Sequence, residues 1–444
     1  MTHDTPLITT IVVGLVLAFV FGMIANRLRL PMIAGYLVAG VVIGPFTPGY
    51  VADQSISAEL AELGVILLMF GVGLHFSLRD LMSVRRIAIP GALAQIAAAT
   101  LCGVALAWTL GWGLGAGLIF GLSLSVASTV VLLRALQERS LVKQERGRIA
   151  VGWLIVEDLV MVVVLVLIPP LSSLLGGRAV PIEEGAAEVA RLGFGPVAAT
   201  LMITAVKVAG FIVLMLVVGR KVIPMILHYT AHTGQRELFR LGVLATALGV
   251  AYGSATFFGV SFALGAFFAG MVMAGSSLSA QAMKDTLPLR DAFAVLFFVS
   301  VGMLFDPSVI LSAPLSLLAT VLIIVGVKGF AAYGLVRAFG HDQRVAMTIA
   351  ASLAQIGEFS FILIVMGVNL AIVPPEARDL VVAGALVSIL LNPVLFHLLE
   401  RHLAAKVAPG PTAAPVNPDP SSPQTDADMA KADPGTAKAD PGTA

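Results

Sequence analysis

One stretch of this chain narrows what it can fold into more than any other. Residues 151–170 form an apolar run long enough to cross a bilayer, and its middle holds two adjacent carboxylates, Glu157 and Asp158. A carboxylate at the centre of a membrane helix costs several kcal/mol and is usually retained because a substrate or proton path needs it. A second one beside it costs more, since like charges oppose each other's ionisation. The bland alternative is a cytoplasmic helix end mistaken for membrane interior. Against it, Glu157 lies nine residues beyond Arg148, the expected water edge. At about 1.5 Å per residue that is roughly 13 Å, close to the midplane.

The composition agrees with a membrane setting. The 444-residue chain is 58% hydrophobic and 12% charged, about half the charge of a soluble domain, with a mean hydropathy of +0.98. The net charge of +1 gives no reason to expect a nucleic-acid partner. One cysteine, Cys102, excludes a disulfide framework and a cysteine-based metal site. No nucleophile–base set or metal-ligand spacing is evident, so the chain is not expected to be an enzyme or to carry a cofactor. The first apolar run is followed by Arg27 and Arg29 with no small-residue cleavage site, and reads as a span, not a leader.

Thirteen apolar segments can be drawn, over about 6–26, 31–46, 57–76, 87–110, 114–136, 148–170, 195–219, 238–257, 260–278, 289–305, 312–336, 345–370 and 379–399. The connections after odd-numbered segments carry twenty of the 27 lysines and arginines. Those after even-numbered segments carry only Arg178, Arg191 and Arg378. The positive-inside rule then puts the N-terminus outside and the C-terminus inside.

A weak internal repeat appears on self-comparison. Gly35-Tyr-Leu-Val-Ala-Gly40-Val-Val resembles Gly265-Ala-Phe-Phe-Ala-Gly270-Met-Val, and Phe70-Gly-Val-Gly73 resembles Val299-Ser-Val-Gly302, at offsets of 230 and 229 residues. Both offsets equal seven segments, so the second copy is inverted in the membrane. Such repeats mark secondary transporters, with the site near the midplane where the copies meet. The expected fold is all-α and polytopic, with about thirteen transmembrane helices in two six-helix inverted repeats, about 6–170 and 238–400, joined by a linker helix at 195–219. A transmembrane domain over 1–404 precedes a tail over 405–444, where Pro, Ala, Asp and Gly dominate and Ala430–Thr436 recurs as Ala437–Thr443. That composition predicts a disordered cytoplasmic tail.

The repeat pairs segment 5, with Ser123, Ser125, Ser128 and Thr129, with segment 12, with Gln355, Gly357, Glu358 and Ser360. These polar interruptions are expected where membrane helices unwind to expose backbone groups to an ion. The serines have an ordinary alternative, bonding back to their own helix. Glu358 can neutralise the positive end of a half-helix. Lys328 lies nine residues before Arg337, as Glu157 lies nine after Arg148, and an ion pair between Lys328 and Glu157 in at least one state is predicted. Lys207, in segment 7, lies nearer the outer side and has no assigned role.

With these residues in view, the chain resembles the monovalent cation–proton antiporters, in the branch of Kef-type potassium efflux proteins. The resemblance spans about residues 6–400 and rests on Gly64-Val-Ile-Leu-Leu-Met-Phe-Gly-Val-Gly-Leu74, Ser125-Val-Ala-Ser-Thr129, Val156-Glu-Asp158, Phe297-Phe-Val-Ser-Val-Gly-Met303, Lys328 and Ala354-Gln-Ile-Gly-Glu-Phe359. It implies a core and a dimerisation domain, a homodimer in the cytoplasmic (inner) membrane, and an elevator-like exchange. By position it implies that Asp158 binds proton or cation in turn, that Glu157 and Lys328 support it, and that Ser125, Ser128, Thr129, Gln355, Gly357 and Glu358 lie on the crossing unwound helices. The chain departs from the branch in having Glu at 157 and no Gly-x-Gly-x-x-Gly nucleotide-binding fingerprint. The expected activity is exchange of a monovalent cation for protons, K⁺ ahead of Na⁺. A gated potassium efflux channel and an organic-anion symporter on a related fold are the alternatives.

Overall fold

The structure, a computed structural model, describes residues 6–28, 30–75, 78–142, 144–178 and 196–406. Its ordered elements are helices, as the apolar runs require. In hydrocarbon a spanning segment has to satisfy its own backbone, and the helix does so within one segment. Among the described residues, nine helices are long and apolar enough to cross a membrane. A bent pair makes a tenth span, and Met32–Val42, Leu114–Ser125 and Phe262–Ala274 are shorter apolar helices.

Each of the thirteen expected segments corresponds to a helix or a broken helix. The first three are α1 (Pro6–Arg27), α2 (Met32–Val42) and α3 (Gln54–His75). The next are α4 (Leu78–Thr109), the broken pair α5 (Leu114–Ser125) and α6 (Thr129–Glu138), and α7 (Glu145–Leu171). After α8 (Pro196–Leu214) a π-turn at Met215–Gly219 leads directly into α9 (Arg220–His232). The linker helix therefore runs on well past residue 219. The reason is that Arg220, Lys221 and His228 lower hydropathy without opposing helix formation. Then come α10 (Arg236–Phe258), α11 (Phe262–Ala274), α12 (Ser279–Met303), a short α13 (Val309–Ser312) and α14 (Pro314–Val321). A second π-turn, Leu322–Val327, precedes α15 (Lys328–Ala338). The chain closes with the bent pair α16 (Gln343–Leu353) and α17 (Glu358–Asn369), and with α18 (Pro375–Lys406). Helices α4 and α12 begin about nine residues before their apolar segments, because polar turns extend a helix beyond its membrane-compatible part. The tail from residue 407 lies outside the described residues.

The helices pack as two groups. One contains α1–α3 with α10–α12, and the other α4–α7 with α14–α17. Within the first group the repeated glycines make the crossings. A side chain at Gly40 would run into the backbone of Val299 and Gly302, and one at Gly302 into Leu37 and Gly40. In the same way Gly73 meets Phe267 and Gly270, and Gly270 meets Phe70 and Gly73. The contact of 40 with 302 maps onto that of 270 with 73 under the sequence offset. The two copies therefore interlock reciprocally, each through small residues that let backbones approach.

Candidate functional site

The second group is organised by two helix breaks. Helix α5 stops at Ser125, Val126 is extended, and Ser128 caps α6 by accepting a 3.3 Å hydrogen bond from the N–H of Val131. Helix α16 stops at Leu353, and extended Gly357 starts α17. The breaks lie against each other, with no room for a side chain at 357. An added Cβ would stand 2.6 Å from Ser128 Cα and 2.9 Å from the Ala127 carbonyl oxygen.

Unwinding frees backbone groups, and buried in the protein these need partners. Gln355 does this for Ser128. Its Oε1 accepts the Ser128 N–H at 2.9 Å and its Nε2 donates to the Ser128 carbonyl at 3.1 Å. Glu157 Oε2 accepts the Ala127 N–H at 2.8 Å. Lys328 Nζ donates to the Gln355 carbonyl at 2.7 Å. An anion thus meets a freed N–H beside the start of α6, and a cation meets a freed C=O just past the end of α16, the signs that the helix dipoles favour. Gln95 of α4 completes the Glu157 shell, its Nε2 donating to Oε1 at 2.5 Å. Glu157, Lys328, Gln355 and Gln95 are all fully buried.

The ion pair expected between Glu157 and Lys328 in at least one state is not formed in this conformation. Each is instead bonded to backbone freed by a break. Both side chains reach the crossing of the two breaks. Backbone groups with no other partner then outcompeted direct pairing.

Asp158 is different. It is 5% exposed, and Oδ2 accepts a 3.3 Å hydrogen bond from Thr129. Among the described residues, Oδ1 has no partner. Asp158, Thr129 and Glu358 line a cavity of about 860 Å³. Arg290 and Asp291 of α12 lie on its wall, and Arg139, Asn392 and Phe396 line it as well. Glu358, in the first turn of α17, is buried and lies 3.5 Å from Ser128 Oγ. Asp158 thus sets a buried carboxylate, one oxygen of it without a partner among the described residues, on the wall of a large cavity.

Most of the expected residues therefore converge. Glu157, Ser128, Gln355, Gly357 and Lys328 build the crossing, and Asp158, Thr129 and Glu358 face the cavity. Ser125 does not join them, since its hydroxyl bonds back to the Leu122 carbonyl at 2.7 Å. Gln95 was missed. Its one signal was an uncharged polar residue deep in an apolar segment, which sequence alone does not separate from ordinary packing.

Residues 15–399 match the family Sodium/hydrogen exchanger, transmembrane. YbaL of Escherichia coli (strain K12), named for cation/proton antiport, is 61% identical over 404 residues, covering 91% of this chain and 70% of that one. K(+) efflux antiporter 4 of Arabidopsis thaliana is 32% identical over 406 residues, covering 89% of this chain and 64% of the plant protein. The solved structure of the sodium proton antiporter MjNhaP1 from Methanocaldococcus jannaschii at pH 8 superposes with a TM-score of 0.64 at 16% identity, over 89% of this chain and 98% of that one. At that identity the likeness concerns the fold.

Proposed function

This chain belongs to the sodium/hydrogen exchanger family, and on that premise we propose that it is a cytoplasmic-membrane antiporter exchanging a monovalent cation for protons at Asp158. The observation that carries the reading is the buried Asp158 carboxylate, with one oxygen held by Thr129 and the other unpartnered beside a large cavity. Deprotonated, it holds a partly dehydrated cation with the Thr129 hydroxyl alongside. Protonated, it is neutral and the cation leaves. One site that cannot hold both ligands enforces exchange. Glu157, Lys328, Gln355 and Gln95 keep the crossing rigid while Asp158 changes partner.

K⁺ is favoured over Na⁺ because the plant relatives are named as K⁺ efflux antiporters. The cavity is lined by Arg139 and Arg290, from connections that the positive-inside rule assigns to the cytoplasm. This supports a cytoplasm-open conformation with the N-terminus outside. Alternating access then closes this cavity and opens the opposite one. A homodimer in the inner membrane completes the reading.

Proteoliposomes containing a pH-sensitive dye test it. Adding K⁺, Na⁺, Li⁺ or Rb⁺ in turn is expected to drive proton movement, with K⁺ the most effective. Asp158→Asn is expected to abolish that movement while the protein still purifies as a folded species, because an amide cannot cycle between neutral and anionic forms. Wild-type exchange in this variant, or a single-channel conductance in planar bilayers, would overturn the proposal.

A further inference from the structure

The carboxylates of the site share their cavity with a cation supplied by the opposite group of helices. Arg290 of α12 lines the same cavity as Asp158 and Glu358. Two features fix how the arginine is presented. Its Nε and Nη2 donate to Asp291 Oδ1 at 3.1 and 2.7 Å. In that pair Arg290 is 26% exposed and Asp291 58%, so the positive partner is the inner one. The stem lies over α3 where Gly71 has no side chain, since a Cβ there would stand 2.7 Å from Arg290 Cδ. The other cavity arginine, Arg139, is held by Glu400 at 2.7 Å and lies 4.3 Å above the Phe396 ring. Arg139 also caps the C-terminal end of α6, in the same group of helices as the site, so it cannot report the approach of the other group.

We propose that Arg290 sets the affinity of the site, as a fixed positive charge that shares the cavity with the transport carboxylates and limits how tightly a cation is held there. Asp291 trims that charge. A site of two buried carboxylates with nothing opposing them would bind a cation too well to release it, and turnover needs release as much as capture. Because Arg290 belongs to α12, its effect is tied to the conformation in which the two groups of helices flank this cavity. The inference rests on the exchange reading given above.

The test is the KM for the transported cation in proteoliposomes, at one fixed pH, with kcat measured alongside. Arg290→Gln is expected to lower KM by roughly 3- to 10-fold, the size of a partly screened charge–charge effect. Arg290→Lys, which keeps the charge, is expected to stay within about twofold of wild type. Asp291→Asn bares the arginine and is expected to raise KM. A merely structural role would move the Gln and Asn variants in the same direction, or lower kcat with KM unchanged. Either outcome overturns the inference. If Arg290→Gln does not fold, a KM for Asp291→Asn at or below the wild-type value overturns it equally. Asp158→Asn, run in parallel, separates the two failures. Exchange persisting in that variant sinks the transport reading itself, whereas its loss beside unshifted KM values for the Arg290 and Asp291 variants sinks only this inference.

Discussion

Glu157 and Lys328 offer the sharpest test of how the crossing is held. Both are fully buried and each bonds to the backbone of a helix break. Lys328→Met leaves the Gln355 carbonyl without its donor, about 1–3 kcal/mol, and leaves Glu157 without its nearest countercharge. Together these should cost about 3–5 kcal/mol, the usual loss when one partner of a buried pair is removed. Glu157→Gln keeps the shape but supplies one acceptor for two donors, Gln95 and the Ala127 N–H. It strands Lys328, and a loss of similar size is expected. In the double variant no bare charge remains, and only the orphaned carbonyl and one donor are left. Its loss should fall short of the sum of the two single losses by about 2–3 kcal/mol, within the range found for directly coupled residues. Recovery is partial because the two side chains do not serve only each other. The assay is equilibrium unfolding of purified protein in mixed micelles, with all four members of the cycle measured together. Losses additive to within about 0.5 kcal/mol would show that the two charges do not sense each other, and the account of the crossing would fail.

Two further outcomes follow from the same geometry. Gly357→Val is expected to lower folded yield and abolish exchange, since its side chain would meet Ser128 and Ala127 backbone that cannot swing aside. Size-exclusion profiles together with flux measure this, and a well-folded, active valine variant would contradict the close approach. The exchange rate is expected to be insensitive to an imposed membrane voltage. Both oxygens of Glu157 are occupied by N–H donors and Lys328 is held by a carbonyl, so one proton traded for one cation at Asp158 moves no net charge. A rate that rises with voltage in vesicles would refute that.

Much of this was legible in the chain because hydrocarbon is an unforgiving solvent. Apolar length marks the helices, and a polar residue in an apolar run has to have a partner or a task. The glycine offset anticipated the repeat, and the structure adds why glycine recurs there: each marks a backbone-on-backbone crossing. Asp158, Glu358 and Lys328 stood out for the same reason, as charges too deep to be accidental. What stayed hidden were the partners. Depth along a helix is one coordinate, and it put Glu157 and Lys328 in one layer without saying which way each side chain turns. Gln95 was hidden because an amide is cheap enough to pass for packing. Ser125 misled because a hydroxyl in a helix can be satisfied by the preceding turn, and here it is.

The distribution of polar contacts also bears on how such a site can be moved. Around the crossing nearly every freed group has a partner, and a satisfied network in low dielectric is stiff. The group α4–α7 with α14–α17 can therefore carry Asp158 as part of a rigid body. The cavity wall it faces, on the α1–α3 and α10–α12 side, presents Leu68, Val72, Phe267, Ala294, Val295 and Phe298 together with Arg290 and Asp291, which bond to each other. Apolar surfaces slide without exchanging hydrogen bonds, and the Arg290–Asp291 pair moves with its own helix. Among the described residues, polar links between that group and the remaining helices are few. One lies beyond the end of α12, where the N–H of Asp306 approaches Asp379 Oδ1 of α18 at 3.4 Å, with Arg378 on the same oxygen at 3.1 Å. By the positive-inside assignment this is the outer side, away from the cavity. On the exchange reading it is a contact that has to break when the outer path opens. On the exchange reading, a stiff crossing, a largely apolar track and a polar clasp away from the cavity are together the parts that an alternating movement of one carboxylate requires.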